Sequence, residues 1–440
     1  MDVRAHLEGK KITVMGLGLL GRGVGDVEFL ARQGAELIVT DLKSAEALAP
    51  SLARLSGYPA ITYVLGEHRL EDFTDRDFIL KAAGVPLDSP YVAHARENGI
   101  PVKMSASWFK ELSGIPVIGI TGTRGKSTVT HMLQGILVLA GGKILLGGNV
   151  RGVSTLALLD EATPEHSALF ELDSWQLQGF GEDRLSPELS IFTTFYPDHL
   201  AYYHDDIDAY LADKANIFLY QKPEDTLILG EQMALTVIDR YESLISSKIL
   251  VAGEKTLPED IELLVPGDHN RYDAALALAS ARALGVPDEI SRKALESFLG
   301  VPGRLQLVAL KDGISFYNDT NSTTPEATIV ALHALSEETG KNIVLIMGGS
   351  DKGLDMKNLL ELVGETTKHV SLLAGAGTER IRNELSGAQV FDSLAEAMED
   401  ARAHAVGGDI VLFSPAFASF GMFKNEYDRG DTFDAIVEAI

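Results

Sequence analysis

Short runs of β-branched and other apolar residues recur along the chain, and a helical spacing of apolar positions follows most of them. KITVMG (11–16) and ELIVTD (36–41) come first, each ending in glycine or aspartate. Strand runs that alternate with helical patterns predict parallel sheets joined by crossover helices. GIPVK (99–103) and GIPVIGI (114–120) are two strands introduced by proline, and a domain boundary is expected between them. Beyond it lie the strand PVIGI (116–120), a glycine-rich loop, a helix predicted over 127–140, and the strands ALFEL (168–172), LSIFTTF (189–195) and DTLILG (225–230). GVPGRLQLV (300–308) has the glycine and proline content of a linker. NIVLIMGG (342–349), HVSLLAG (369–375) and DIVLFSP (409–415) then repeat the strand-to-helix pattern. The expected domains are 1–113, 114–300 and 301–440, with no short-period repeat and no low-complexity tract.

Composition narrows the function. Sixty-three acidic and 38 basic residues give a formal charge of −25 over 440 residues. Nucleic acid and anionic membrane surfaces both require a basic footprint, so neither is an expected partner. Phosphorylated small molecules stay open, because backbone amides, a few cations and metal ions hold them. There are no cysteines, which removes disulfides, thiolate catalysis and Cys-ligated zinc. The N-terminal residues have no charged-then-apolar leader, and the longest apolar stretch is interrupted by Gln134, Lys143 and glycines. A cytoplasmic enzyme, acting as a monomer, is the expectation.

The loop GITGTRGKST (119–128) sits between a strand and a helix. The strict phosphate-loop spacing fails, because Ile120 stands where it needs glycine. The physics is retained. Gly122 and Gly125 allow a tight turn around phosphate oxygens, the amides from Thr123 to Thr128 face them, Lys126 supplies charge, and the Ser127 hydroxyl can ligate Mg²⁺. In DDIDAYLADKANIFLY (205–220), Ile207, Leu211, Lys214 and Phe218 fall on one helical stripe, so Lys214 is expected to be buried and its pKa lowered. By periodicity alone, a lysine snorkelling to the surface fits as well.

The T-G-T-x-G-K-S-T form of this loop resembles the Mur ligase family, which also contains folylpolyglutamate synthases and joins amino acids to carboxylates with ATP. Further motifs resemble the family in the correct order along the whole chain. GGNVRG (147–152) is similar to its glycine-asparagine loop, implying that Asn149 contacts substrate. FELDSWQL (170–177) implies Glu171 as a magnesium ligand, with Asp173 and Trp175 departing from the family's Ser and Phe. TTFYPDHL (193–200) implies His199 as a second ligand and a catalytic group. Lys214 matches the family's carbamylated lysine, which implies a carbamate at the metal site. PGDHNRYDAALALA (266–279) places Asn270 at the ATP site, and Asp273 replaces a second asparagine. Arg304 and Asp319 match ATP-side residues, while Asn321 replaces a lysine. Lys352, Thr323, Ser419 and Phe420 are implied on the amino-acid side, with Gly421 and Glu426 as further departures. The resemblance implies a fold of three α/β domains: a Rossmann-like N-terminal domain, a central P-loop-type ATPase domain with a mostly parallel sheet, and a Rossmann-like C-terminal domain that closes over the central one.

GLGLLGRG (16–23), with Asp41 ending the next strand, read alone is a dinucleotide fingerprint. The same features suit any diphosphate at a helix N-terminus. The resemblance implies that Gly18, Leu19, Leu20 and Asp41 hold the UDP of a nucleotide-sugar substrate. It further points to the D-glutamate-adding branch, with UDP-N-acetylmuramoyl-L-alanine as acceptor, ATP, and Mg²⁺ as two ions. Three alternatives stay open: a ligase for another amino acid such as L-glutamate, an NAD-dependent oxidoreductase, and a nucleotide-binding regulator without turnover.

Overall fold

The computed structural model describes every residue except Met1, Leu19, Leu20, Leu200, Ala201, Gly340 and Ser386, together with the side chains of 337–339. The chain forms two compact units. One comprises Met1–Pro258 with Tyr272–Ala294, and the other Glu259–Arg271 with Leu295–Ile440.

The first unit contains two parallel sheets. Strands β1 (Lys11–Met15), β2 (Glu36–Asp41), β3 (Thr62–Leu65), β4 (Phe78–Lys81) and β5 (Val102–Lys103) lie in the order β3-β2-β1-β4-β5. β5 is only two residues long, because Pro101 precedes it and removes a donor. The chain reverses direction across the sheet at β1, so a ligand crevice is expected beyond its carboxyl end, where the Gly16–Gly18 loop begins. The second sheet joins β6 (Val117–Thr121), β7 (Lys143–Gly148), β8 (His166–Glu171), β9 (Leu189–Phe192), β10 (Thr226–Gly230) and β11 (Lys248–Ala252) in the order β11-β10-β9-β6-β8-β7. β6 and β9 are buried along their whole length, as strands covered on both faces must be. Ile120 of β6 pairs with Glu171 of β8, and Thr121 with Phe192 of β9, so the phosphate-type loop, Glu171 and the 193–199 segment leave the sheet side by side.

In the second unit, β12 (Gln306–Lys311), β13 (Ile314–Asn318), β14 (Ile343–Gly348), β15 (Thr367–Leu373), β16 (Gln389–Phe391) and β17 (Ile410–Phe413) form a sheet ordered β12-β13-β17-β14-β15-β16. Only the edge hairpin β12–β13 is antiparallel. All three sheets are thus of the α/β type read from the strand–helix alternation.

Candidate active site

The loop after β6 is built around glycine. A Cβ at Gly122 would lie 2.0 Å from Thr193 Oγ1, and at Gly125, where φ is +84°, 2.4 Å from Asp273 Oδ1. Gly125 caps the helix Lys126–Leu139, one residue earlier than the expected start at Ser127. The loop is tied to the strand beside it: Thr123 N donates to Thr194 O, and Arg124 N to Thr194 Oγ1. Two lysines converge on one acceptor. Lys126 Nζ donates to Gly122 O at 3.0 Å, and Lys214 Nζ to the same oxygen at 2.8 Å.

Lys214 lies on the helix Ile207–Ala215, which Asp206 caps with its side chain. It is 1% exposed. Burial, then the charge of Lys126, pushes its pKa well below the ordinary lysine value. The helix ends at Ala215, so Phe218 is not on the same helical stripe as expected; it reaches the core from the turns that follow.

Glu171 is 5% exposed, and its recorded hydrogen bond is a long one, from Asn149 Nδ2 at 3.3 Å. A buried carboxylate so sparsely bonded fits a cation partner. Asn149 is held in turn by Arg22, whose guanidinium donates to Asn149 Oδ1 at 2.6 Å. This chain of contacts runs from the first sheet's helix to the second sheet's metal-capable acid. His199 is partly exposed, in a left-handed backbone conformation (φ +54°), with its ring 4.8 Å from that of Trp175. Trp175, where the family has Phe, adds an indole N–H with no hydrogen-bond partner among the described residues. The Ser127 hydroxyl, the Glu171 carboxylate and the His199 imidazole would together offer two hard oxygens and one nitrogen. That set suits Mg²⁺, with the imidazole as its less usual member.

Asp273 is buried beneath Gly125, and Thr128 hydrogen-bonds to it. Burial pushes its carboxyl up to about 7, the Thr128 bond opposing this.

At the other glycine loop, Asp41 braces the backbone that leads to the helix. Its Oδ2 accepts from Leu17 N at 2.9 Å and Gly18 N at 3.0 Å, and its Oδ1 from Lys43 N. The acid is pulled inward because loop amides at the strand end are otherwise unsatisfied. Leu19 and Leu20 lie outside the described residues. Lys81, at the end of β4, donates to Val85 O at 2.6 Å, and burial lowers its pKa to about 8. Asp26 accepts from Ser105 and Ser154, and burial raises its carboxyl to about 6.

A cleft of about 780 Å³ joins these parts. Gly16, Gly18, Asp41 and Lys81 line one end; Lys126, Asn149, Trp175 and His199 line the other. Arg22, Lys81 and Asp26, all missed by motif reading, lie along it. Their sequence signal is a charged residue at a strand end, for Lys81, or on the helix that follows the glycine loop, for Arg22 and Asp26.

In the second unit, Lys352 Nζ donates to Thr323 Oγ1 at 3.0 Å, bringing two expected substrate-side residues together. Asp319 accepts from Ser322, Ser414 and Leu305 N, and burial raises its carboxyl to about 6 despite these bonds and nearby Arg304. Arg304 N bonds to Val301 O in the turn before β12. Asn270 Nδ2 donates to Pro266 O at the start of the helix Asp268–Ala283. Ser419 is buried and Phe420 exposed. Arg429 also escaped sequence reading. It is 1% exposed and donates to Thr320 Oγ1, Thr320 O and Phe417 O, fixing the loops on either side of the Thr323–Lys352 pair.

Three family models match: "Mur ligase MurD-like, N-terminal domain" over residues 10–104, "Mur ligase middle domain" over 120–256, and "Mur ligase, glutamate ligase domain" over 303–417. The chain is 36% identical to the UDP-N-acetylmuramoylalanine–D-glutamate ligase of Roseiflexus sp. (strain RS-1), covering 99% of each chain. It is 32% identical to the ligase of that name from Treponema pallidum (strain Nichols), covering 100% of this chain and 99% of the other. Among solved structures, the UDP-N-acetylmuramate-alanine ligase of Thermotoga maritima superposes with a TM-score of 0.60 at 19% identity, over 98% of this chain and 99% of that one.

Proposed function

We proceed from one fact, that the chain belongs to the Mur ligase family, and propose that it uses ATP to join D-glutamate to UDP-N-acetylmuramoyl-L-alanine in peptidoglycan precursor synthesis. The observation that carries this reading is the continuous cleft from the Gly16–Gly18 loop to Lys126 and His199. A substrate whose diphosphate rests on the first loop can present its far carboxylate to the second. An oxidoreductase has no use for a lysine-bearing phosphate loop at that end.

The chemistry follows from the groups present. A carboxylate oxygen of the acceptor attacks the γ-phosphorus of ATP, and ADP leaves. The glutamate nitrogen then attacks the acyl carbon, and phosphate departs with the carboxylate oxygen it received. Lys126 and the amides of residues 123–128 stabilise charge on the moving phosphoryl group. Ser127, Glu171 and His199 would hold Mg²⁺, expected as two ions, which would neutralise further phosphate charge. Lys214, whose burial favours the neutral amine, is suited to take up CO₂ as a carbamate and join that set. A carbamate carbon signal in the ¹³C spectrum of enzyme in labelled bicarbonate, absent from Lys214→Ala, is the expected sign. In the second unit, Lys352 is the cation for the glutamate side chain, with Thr323, Ser419 and Phe420 beside it. Asn270, Arg304 and Asp319 serve the nucleotide. The enzyme is read as a cytoplasmic monomer. No helix of the described residues is long and apolar enough to cross a membrane, and a charge of −25 opposes self-association.

The test is ADP release. It is expected only when both UDP-N-acetylmuramoyl-L-alanine and D-glutamate are present, and Lys126→Ala should lower it by about 10²–10³. Turnover unchanged by that substitution would contradict the assignment. A second reading, a different amino acid, is favoured by Asn321, whose amide is spent on Pro302 O where the family has a lysine. A panel of D- and L-amino acids in the same assay decides between them.

A further inference from the structure

In the second unit, a strand and a helix bring two histidines and an acid together, and no step above uses them. His369 and Ser371 share one face of β15, being two residues apart. Asp400 and His404 share one face of the helix Leu394–His404, being four apart. His369 Nε2 lies 2.7 Å from Asp400 Oδ2, and His404 Nδ1 lies 3.5 Å from Asp400 Oδ1. The two imidazoles stack with centroids 3.6 Å apart and planes 9° from parallel. One ligand atom from each of the three residues lies within 4.8 Å of the others.

We propose that His369, Asp400 and His404 form a binding site for a divalent transition-metal ion of the zinc class. Three features beyond proximity argue for it. His404 Nδ1 is 2.8 Å from the carbonyl oxygen of Asp400, which can only accept, so that nitrogen carries the proton and Nε2 presents its lone pair. A ring nitrogen pinned to a backbone carbonyl while the other ligates is the usual support of a metal-bound histidine. Ser371, fully buried, donates to Asp400 Oδ2 at 2.7 Å and orients the carboxylate. The neighbouring Lys368 is committed to Asp409, so it does not compete for Asp400.

Charge and geometry agree. Two parallel imidazolium ions in van der Waals contact would repel, whereas two neutral rings and one carboxylate accept a dication with a single positive charge left over. Tetrahedral zinc holds its ligand atoms roughly 3.3 Å apart, so His369 Nε2 and Asp400 Oδ2, 2.7 Å apart, need to part only slightly to admit the ion. On binding, His369 exchanges its Nε2 proton for one on Nδ1, keeping the ring neutral, and the ion takes the place of the proton beside Asp400. The partly exposed His404 leaves the fourth position to water. Nitrogen ligands select against Mg²⁺, which separates this site from the phosphate loop. His369 is level with Val344 at the start of β14, about four strand residues or roughly 13 Å from Gly348 and the loop carrying Lys352. The ion would therefore staple the helix to the sheet without touching substrate.

The experiment titrates ZnCl₂ into chelator-treated full-length protein, with excess Mg²⁺ present, by competition against a chromophoric chelator. Wild type, His404→Gln, Asp400→Asn and His199→Ala are compared. One zinc equivalent is expected in wild type and His199→Ala, with affinity about tenfold or more weaker in His404→Gln and Asp400→Asn. His404→Gln, at an exposed position, should keep its fold and its ligase activity within about twofold, which separates this result from failure of the ligase reading. Wild-type affinity in His404→Gln, loss of zinc in His199→Ala alone, or no binding in wild type would each overturn the proposal.

Discussion

Two glycine loops of the first unit end in the same helix-capping backbone and have opposite chemistry. Gly21 and Gly125 each begin a helix at φ +84° and ψ −16°, and each is followed by a cation, Arg22 or Lys126. At the first loop, an acid is turned in: Asp41 takes the amides of Leu17 and Gly18. At the second, two lysines are turned in: Lys126 and Lys214 share the Gly122 carbonyl. The first loop therefore has its Leu17 and Gly18 amides spent on a carboxylate, which suits a diphosphate that only has to stay in place. The second loop brings the Lys126 charge and a second, buried amine to where a phosphoryl group has to move. A helix N-terminus after glycines specifies a phosphate; the side chains around it specify what happens to that phosphate.

Substitutions at the paired glycines should show the difference most strongly. Gly125→Ala combines strain at positive φ with a Cβ placed 2.4 Å from Asp273 Oδ1, whereas at Gly21 the nearest atom would be 3.6 Å away. Gly125→Ala is expected to abolish binding of an ATP analogue in calorimetry. Gly21→Ala should cost about 1–2 kcal/mol from backbone strain alone and leave nucleotide binding near wild type. Equal effects at both sites would break the comparison.

Asp41→Asn comes next. The amide keeps one acceptor oxygen where the carboxylate used two, so either the Leu17–Gly18 pair or Lys43 N loses its partner. The KM for the nucleotide-linked acceptor should rise about tenfold, with kcat within about twofold. An unchanged KM would mean that the clamp does not position the loop.

The smallest effect concerns pH. Asp273 titrates near 7 in the fold against about 3.8 unfolded, so the native state holds its proton more tightly. Its contribution to stability is complete below the unfolded value, falls as pH rises toward 7, and stays lost above that. Asp273→Asn should flatten the decline in Tm between about pH 4 and 7, relative to wild type. Asp26 and Asp319, raised to about 6, titrate in the same window, so the readout is the difference between the two proteins. A parallel pair of curves would remove Asp273 from the account.

What the sequence made legible was local. The β-branched runs, the Gly125–Ser127 turn and the buried stripe bearing Lys214 are each written within about a dozen residues, so periodicity and spacing expose them. The inward turn of Asp41, the Arg22–Asn149–Glu171 chain and Arg429 with its three acceptors depend on residues between 12 and 127 positions apart. No period in the sequence encodes such distances. Phe218 shows the converse: the apolar spacing continued past Ala215, but the helix did not.

The central claim is that ATP is spent on activating a carboxylate. Its most direct measurement uses acceptor labelled with ¹⁸O in the alanyl carboxylate and follows the label through turnover with D-glutamate. The account predicts that each phosphate released carries one ¹⁸O, because the carboxylate oxygen that attacked phosphorus leaves with it. Unlabelled phosphate, with the displaced heavy oxygen going to water instead, would contradict it.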